Sequence, residues 1–128
     1  MPHRSRLAGF IIDCQVEDLD AAARFWSGAL GATIADANAG DETAEYQSFG
    51  NTPGDLHIEV QKVAHPSRVH LDIEADDLDA EAARLEALGA KRIGFVKRWW
   101  VMEAPGGHRC CVVKMVAPDQ GTPPNEWP

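Results

Sequence analysis

Histidines and carboxylates stand at alternate positions in two short apolar stretches of this sequence. His57 and Glu59 are two residues apart, and His70 and Asp72 lie in the stretch RVHLDIEA. Alternate residues of a β-strand point to the same face, so each pair would share one face. Two imidazoles and a carboxylate, from His57, Glu59 and His70, suit a divalent Fe, Mn, Zn or Ni ion and leave positions open for a substrate. The same spacing is also typical of hydrated sheet faces that bind nothing.

Further candidates for a small-molecule site surround these residues. Trp99 and Trp100 are adjacent, so a strand would point one into the core and leave the other for a pocket wall or an oligomer contact. Arg98 could bind an anionic group or remain a solvated charge. Cys111 could be a thiolate ligand, a nucleophile or a small buried apolar residue. Asp72 could orient His70 or contact the substrate.

The elements that would position these residues occur twice. FIIDCQVEDLDAAARFWSGALGA spans residues 10–32, and VHLDIEADDLDAEAARLEALGA spans residues 69–90. Each reads as a strand, an acidic helix cap, an alanine-rich amphipathic helix and a terminal glycine. A polar loop is predicted at residues 36–43. Further strands are predicted near residues 32–35, 45–49 and 56–60 in the first copy, and near 92–96, 99–103 and 109–115 in the second.

These elements predict an α+β fold of two βαβββ modules in one domain, residues 1–128. Module one covers about residues 7–63 and module two about residues 67–116. A proline-rich, irregular tail is predicted at residues 117–128.

Charge and composition exclude some classes of partner. The net charge of -8 disfavours nucleic acid, and no apolar run approaches the roughly 20 residues of a membrane span. Three cysteines, two of them adjacent, do not make a disulfide framework. The first residues lead directly into a predicted strand without a leader, so the chain is predicted to be cytoplasmic.

The paired modules resemble the vicinal oxygen chelate superfamily, in particular its glyoxalase-like proteins. The resemblance rests on RVHLDIEADDLDAEAARLEALGA and WWVMEAPGGHRCCVV and covers about residues 7–116. It implies a sheet curled around a cavity, a small-molecule ligand and a homodimer. The superfamily includes glyoxalase I, extradiol dioxygenases, epimerases, thiol transferases and non-catalytic bleomycin-binding proteins, so the resemblance implies the fold more specifically than any reaction.

The resemblance also implies where metal ligands would stand, on the first and last strand of each module. His70 matches the first strand of module two, and Glu59 is the candidate on the last strand of module one. Ile11 occupies the remaining position of module one and cannot bind a metal. Cys111, aligned to within one residue, stands where a glutamate is usual. These two departures disfavour the glyoxalase I reaction, which needs a metal for an enediolate and a carboxylate to move the proton.

Two functional hypotheses follow. The first is a lyase, isomerase or dioxygenase with a divalent metal on His57, Glu59 and His70, in which Glu59 and His70 are the candidate catalytic residues. The second is a metal-free protein of the bleomycin-resistance type that sequesters an apolar or aromatic compound. The candidate substrate contacts are Asp72, Arg98, Trp99, Trp100 and Cys111.

Overall fold

The computed structural model describes residues 2–35 and 45–128 and shows the predicted order of strand, helix and three strands twice. The predicted α+β class is thereby confirmed, and the loop predicted at residues 36–43 lies outside the described residues. A 3₁₀ turn at Pro53–Asp55 joins the third and fourth strands. The elements are β1 (His3–Cys14), α1 (Leu19–Leu30), β2 (Thr33–Ile34), β3 (Tyr46–Gly50), β4 (His57–Lys62), β5 (Arg68–Ala75), α2 (Leu78–Ala87), β6 (Lys91–Val96), β7 (Trp99–Glu103), β8 (Arg109–Lys114) and β9 (Asn125–Trp127).

The chain divides into two compact units. The N-terminal unit is Gly9–Val69, and the C-terminal unit combines the residues up to Ala8 with His70–Pro128. That the whole of residues 1–128 acts as one domain stays a prediction. None of the described helices is long and apolar enough to cross a membrane.

In the N-terminal unit, α1 packs on a small mixed sheet. β3 pairs antiparallel with β2 and β4, and β4 runs parallel to residues 9–14 of β1. The Asp18 carboxylate accepts a hydrogen bond from the Ala21 amide at 3.2 Å and so begins α1, while Gly31 ends it at φ 66°. The buried core between helix and sheet includes Ile12, Leu19, Ala23, Phe49, Ile58 and Val60.

In the C-terminal unit, α2 packs on β6, β7 and β8. These three strands form an antiparallel meander, and β8 also runs parallel to β5. The Asp77 carboxylate caps α2 by accepting from the Ala80 amide at 3.0 Å. The buried core on the helix side consists of Ala75, Ala82, Met102 and Val112.

The sheet of the C-terminal unit has a second face, opposite α2, which we call the distal face. Cys110 and Trp100 pack against the core on the α2 side, so the residues that alternate with them point the other way. The distal face carries His70, Asp72 and Glu74 from β5, Arg109, Cys111 and Val113 from β8, and Trp99, Val101 and Glu103 from β7.

The C-terminal segment, predicted as an irregular tail, contains one short strand. Residues 125–127 form β9, which pairs antiparallel with residues 3–5 of β1. The Arg6 guanidinium donates to four backbone carbonyls of the segment, with N–O distances between 2.6 and 3.3 Å. The acceptors are Ala117, Pro118, Gln120 and Thr122. Because the partner strand lies more than 100 residues away in sequence, no local pattern predicts this pairing.

Candidate functional site

An imidazole, a carboxylate and a thiol meet in the middle of the distal face. One potential ligand atom each from His70, Asp72 and Cys111 lies within 4.8 Å of the other two. His70 Nε2 is 3.7 Å from Asp72 Oδ1, and both side chains are 13% exposed. Cys111 is 9% exposed. The cluster is thus largely shielded from water.

Strand pairing brings these residues together. Asp72 and Cys111 are direct partners in the parallel β5–β8 ladder, and His70 lies two residues before Asp72 on the same face. The adjacent Cys110 points into the core, where burial raises the pKa of its thiol and the charge of Asp72 raises it further. Of the two neighbouring thiols, therefore, only that of Cys111 belongs to the cluster.

The three donor types fit a divalent metal ion. Imidazole nitrogen, carboxylate oxygen and thiolate sulfur bind zinc at about 2.0–2.3 Å, which places tetrahedral ligand atoms roughly 3.3–3.8 Å apart. The His70–Asp72 distance of 3.7 Å is slightly longer than the roughly 3.3–3.5 Å that this geometry gives for one nitrogen and one oxygen ligand. Three protein ligands would leave a fourth position for water or substrate, as in catalytic rather than structural sites.

Two ion pairs stand at opposite ends of the cluster. At one end, the Glu74 carboxylate accepts a hydrogen bond from Arg6 Nε at 2.6 Å. At the other end, next to His70, Arg109 Nη2 lies 3.6 Å from Glu103 Oε2. Arg109 is not among the site residues predicted from the sequence. The signal that would have found it is its spacing of two from Cys111 on one strand.

The adjacent tryptophans separate as predicted for a strand. Trp100 packs against the core on the α2 side, and its indole NH donates to Asp79 Oδ1 at 2.8 Å. Trp99 points to the distal face, where its ring lies 5.8 Å from Lys97 Nζ. Arg98 is exposed in the turn between β6 and β7. Of these three predicted substrate contacts, only Trp99 shares the face of the cluster.

His57 and Glu59 lie together on β4 of the N-terminal unit. His57 Nε2 is 2.5 Å from Glu59 Oε1, with the two side chains 50% and 15% exposed. They alternate with Ile58 and Val60, which are buried against α1, so they occupy the opposite face of their own sheet. That they share a metal ion with His70 stays a prediction. Ile11 is buried at 5% exposure.

Comparison with known families gives one match, over most of the chain. The model of a family described as a glyoxalase-like domain matches residues 9–113. None of the curated proteins matches the sequence.

Solved structures with the same fold include enzymes of several kinds. Methylmalonyl-CoA epimerase from Mycobacterium tuberculosis is similar with a TM-score of 0.59 at 17% identity, over 86% of this chain and 87% of that one. Homoprotocatechuate 2,3-dioxygenase from Brevibacterium fuscum is similar with a TM-score of 0.55 at 18% identity, over 97% of this chain and 39% of that one. A glyoxalase/bleomycin resistance protein/dioxygenase superfamily member from Vibrio splendidus 12B01 has a TM-score of 0.52 at 13% identity, over 84% and 98% of the two chains. At these identities the likeness shows the fold alone.

Proposed function

The chain belongs to the glyoxalase-like domain family of the vicinal oxygen chelate superfamily, and from that premise we propose that it is a metal-dependent enzyme acting on a small molecule. The metal ligands in this proposal are His70, Asp72 and Cys111. The observation that carries it is the convergence of their three donor atoms within 4.8 Å.

The proposed reaction class is a lyase, isomerase or dioxygenase reaction. A divalent ion bound there would polarise an oxygen of the substrate as a Lewis acid. His70, Asp72 and Cys111 would hold the ion and leave its fourth position open to the substrate. Two of the similar structures are an epimerase and a dioxygenase, which supports this group of reactions but does not select one of them.

The predicted roles of His57 and Glu59 complete the proposal. Glu59 is the candidate carboxylate for moving a proton, and its contact with His57 at 2.5 Å would fix its orientation. His57 and Glu59 also remain candidate further ligands. A homodimer and a cytoplasmic location are proposed on the strength of the family and the composition.

The first experiment is elemental analysis of protein purified without chelator or affinity metal. We expect a near-stoichiometric divalent ion that is lost in His70→Ala and Cys111→Ala. Cys110→Ala is the matched control, because this neighbouring thiol points into the core, and it should retain the ion. His57→Ala tests the wider ligand set.

Two results would contradict the metal proposal. One is wild-type protein that binds none of Mn, Fe(II), Co, Ni or Zn, also after incubation with each. The other is full metal content in Cys111→Ala.

A metal-free binding protein is the second candidate function. The observation that favours it is Ile11, a buried aliphatic residue where the superfamily places a ligand. In this alternative the distal face, with Trp99 on it, would bind an apolar or aromatic compound without chemistry. Quenching of tryptophan fluorescence by aromatic compounds in metal-free protein would support it.

A further inference from the structure

Two arginines lie at the ends of the distal face, and their surroundings differ. The Arg6 guanidinium is surrounded by acceptors: Glu74 and four backbone carbonyls of the C-terminal segment. A guanidinium has five N–H donors, so Arg6 has almost none left for a ligand.

Arg109 has donors to spare. Within residues 2–35 and 45–128, its ion-pair partner is Glu103, with Nη2 and Oε2 3.6 Å apart, which is beyond hydrogen-bond length for a nitrogen donor. The two side chains are 29% and 31% exposed. Such a loose, partly hydrated pair contributes little to stability, and its cation is available to an incoming anion.

Arg109 is also within reach of the cluster. It precedes Cys111 by two residues on β8, so the two Cα atoms are about 6.6 Å apart and the side chains leave the sheet on the same face. A guanidinium binds a planar carboxylate through two parallel hydrogen bonds. A ligand whose reacting group contacts the cluster could place a carboxylate a few bonds away on Arg109.

The other charges of the face favour a singly charged ligand. Asp72, Glu74 and Glu103 lie on it, and the cations Arg6, Arg109 and, beside Trp99, Lys97 oppose them. In the metal-free protein, a dianionic phosphate would be repelled by these carboxylates more strongly than a monoanionic carboxylate.

We infer that Arg109 is a specificity-determining residue that binds the carboxylate of a small carboxylic acid substrate on the distal face. The inference rests on the proposed function, because it takes this face as the substrate site. It adds the chemical class of the substrate and the residue that recognises it.

The test compares phenylacetate with its neutral analogue phenylacetamide by tryptophan fluorescence titration of the full chain, metal-loaded and metal-free. We expect the wild type to prefer phenylacetate at least tenfold, the effect of a charge-assisted hydrogen-bonded pair. Arg109→Gln should abolish this preference without changing the affinity for phenylacetamide or the metal content. Arg109→Lys should keep part of the preference for phenylacetate. Glu103→Gln removes the competing carboxylate and should raise the affinity for phenylacetate severalfold.

Arg24→Gln is the matched comparison, since this arginine is exposed on α1, and it should behave as the wild type. Arg98→Gln tests the other arginine predicted to bind an anionic group. An unchanged preference in Arg109→Gln, or a loss in Arg98→Gln instead, would overturn the inference. Tighter binding of phenyl phosphate than of phenylacetate would overturn the choice of carboxylate. Protein that binds no metal but keeps the Arg109-dependent preference would leave this inference standing and remove the metal proposal.

Discussion

Glu81 is a fully buried carboxylate that ties α2 to the first residues of β1. It accepts hydrogen bonds from Arg84 at 2.7 and 2.8 Å and from His3 Nε2 at 2.8 Å, and Ser5 also donates to it. Burial alone would raise the pKa of Glu81, but these donors outweigh burial and lower it. Since α2 supports the sheet behind the candidate site, this carboxylate contributes to holding that sheet in place.

The lowered pKa predicts how stability depends on pH. A carboxyl whose pKa is lower in the folded than in the unfolded state stabilises the fold above its unfolded pKa, and this contribution is lost as pH falls through the folded value. We expect Glu81→Gln to cost about 3–5 kcal/mol at pH 7, because it breaks a buried pair, and the difference from wild type to shrink below about pH 4.5. Urea unfolding between pH 3 and pH 7 measures this.

Glu86→Gln is the control for that experiment. Glu86 lies on the same helix and pairs with Arg92 at 2.7 Å, but it is exposed, so its loss should cost less than about 1 kcal/mol. A constant difference between Glu81→Gln and wild type over the whole pH range would contradict the assigned pKa direction.

Gln47 is also a buried polar side chain, but it lacks the hydrogen bonds to described residues that Glu81 has. It is fully buried, and neither its amide nitrogen nor its amide oxygen has a hydrogen-bond partner among the described residues. Its neighbour across the ladder is Val60, in the apolar core. We expect Gln47→Met to raise the free energy of unfolding by about 1–3 kcal/mol, since it removes an unsatisfied group at similar volume. Gln61→Met, whose wild-type amide donates to Tyr46 at 3.2 Å, should bring no gain in the same denaturant experiment.

At the scale of elements, the pairing of β1 with β4 positions His57 and Glu59. Gly9 lies opposite His57 in this parallel ladder, and a Cβ built on Gly9 would come within 1.8 Å of the His57 carbonyl oxygen. The contact is with backbone, which cannot rotate away. Gly9→Ala should therefore force the strands apart and destabilise the fold by about 3 kcal/mol or more, measured by thermal unfolding.

Gly28 supplies the matched alanine substitution. It lies within α1, and a Cβ there would meet nothing within 4 Å. Gly28→Ala should stabilise the fold by about 0.5–1 kcal/mol, because alanine loses less entropy in a helix. If Gly9→Ala stabilised the fold as Gly28→Ala does, the close approach of the backbone at Gly9 would not constrain the pairing of β1 with β4.

The sequence predicts these elements where the cause is local, and fails where it is not. Asp18 and Asp77 cap their helices and Gly31 ends α1, as the pattern indicated, because caps depend on residues three or four apart. Leu88 follows the end of α2 and is 67% exposed, although an apolar residue so close to an amphipathic helix is expected to be buried. Strand alternation was enough to separate Trp99 from Trp100, but the meeting of His70, Asp72 and Cys111 depends on the β5–β8 register, which no short stretch encodes.

At the scale of the whole molecule, the proposed ligands are unevenly distributed between the two units. His70, Asp72 and Cys111 all belong to the C-terminal unit, while His57 and Glu59 belong to the N-terminal unit. The proposed substrate contacts on the distal face, Arg109 and Trp99, also belong to the C-terminal unit. If the cluster alone suffices, the C-terminal unit carries the metal-binding chemistry, and its own packing, including Arg6 and β9, determines the geometry of the site.

Hydrogen exchange with and without zinc distinguishes the two ligand sets. A ligand that binds only the folded state stabilises it by RT ln(1 + [L]/Kd), about 2.7 kcal/mol at a hundredfold excess over Kd, and amides near the site open less often. We expect zinc to slow exchange in β5 and β8 more than in β4, and Cys111→Ala to abolish the effect. Slowing confined to β4 would assign the metal to His57 and Glu59 instead. Equal slowing in all three strands, lost in both Cys111→Ala and His57→Ala, would show that ligands from both units hold one ion and that neither unit binds it alone.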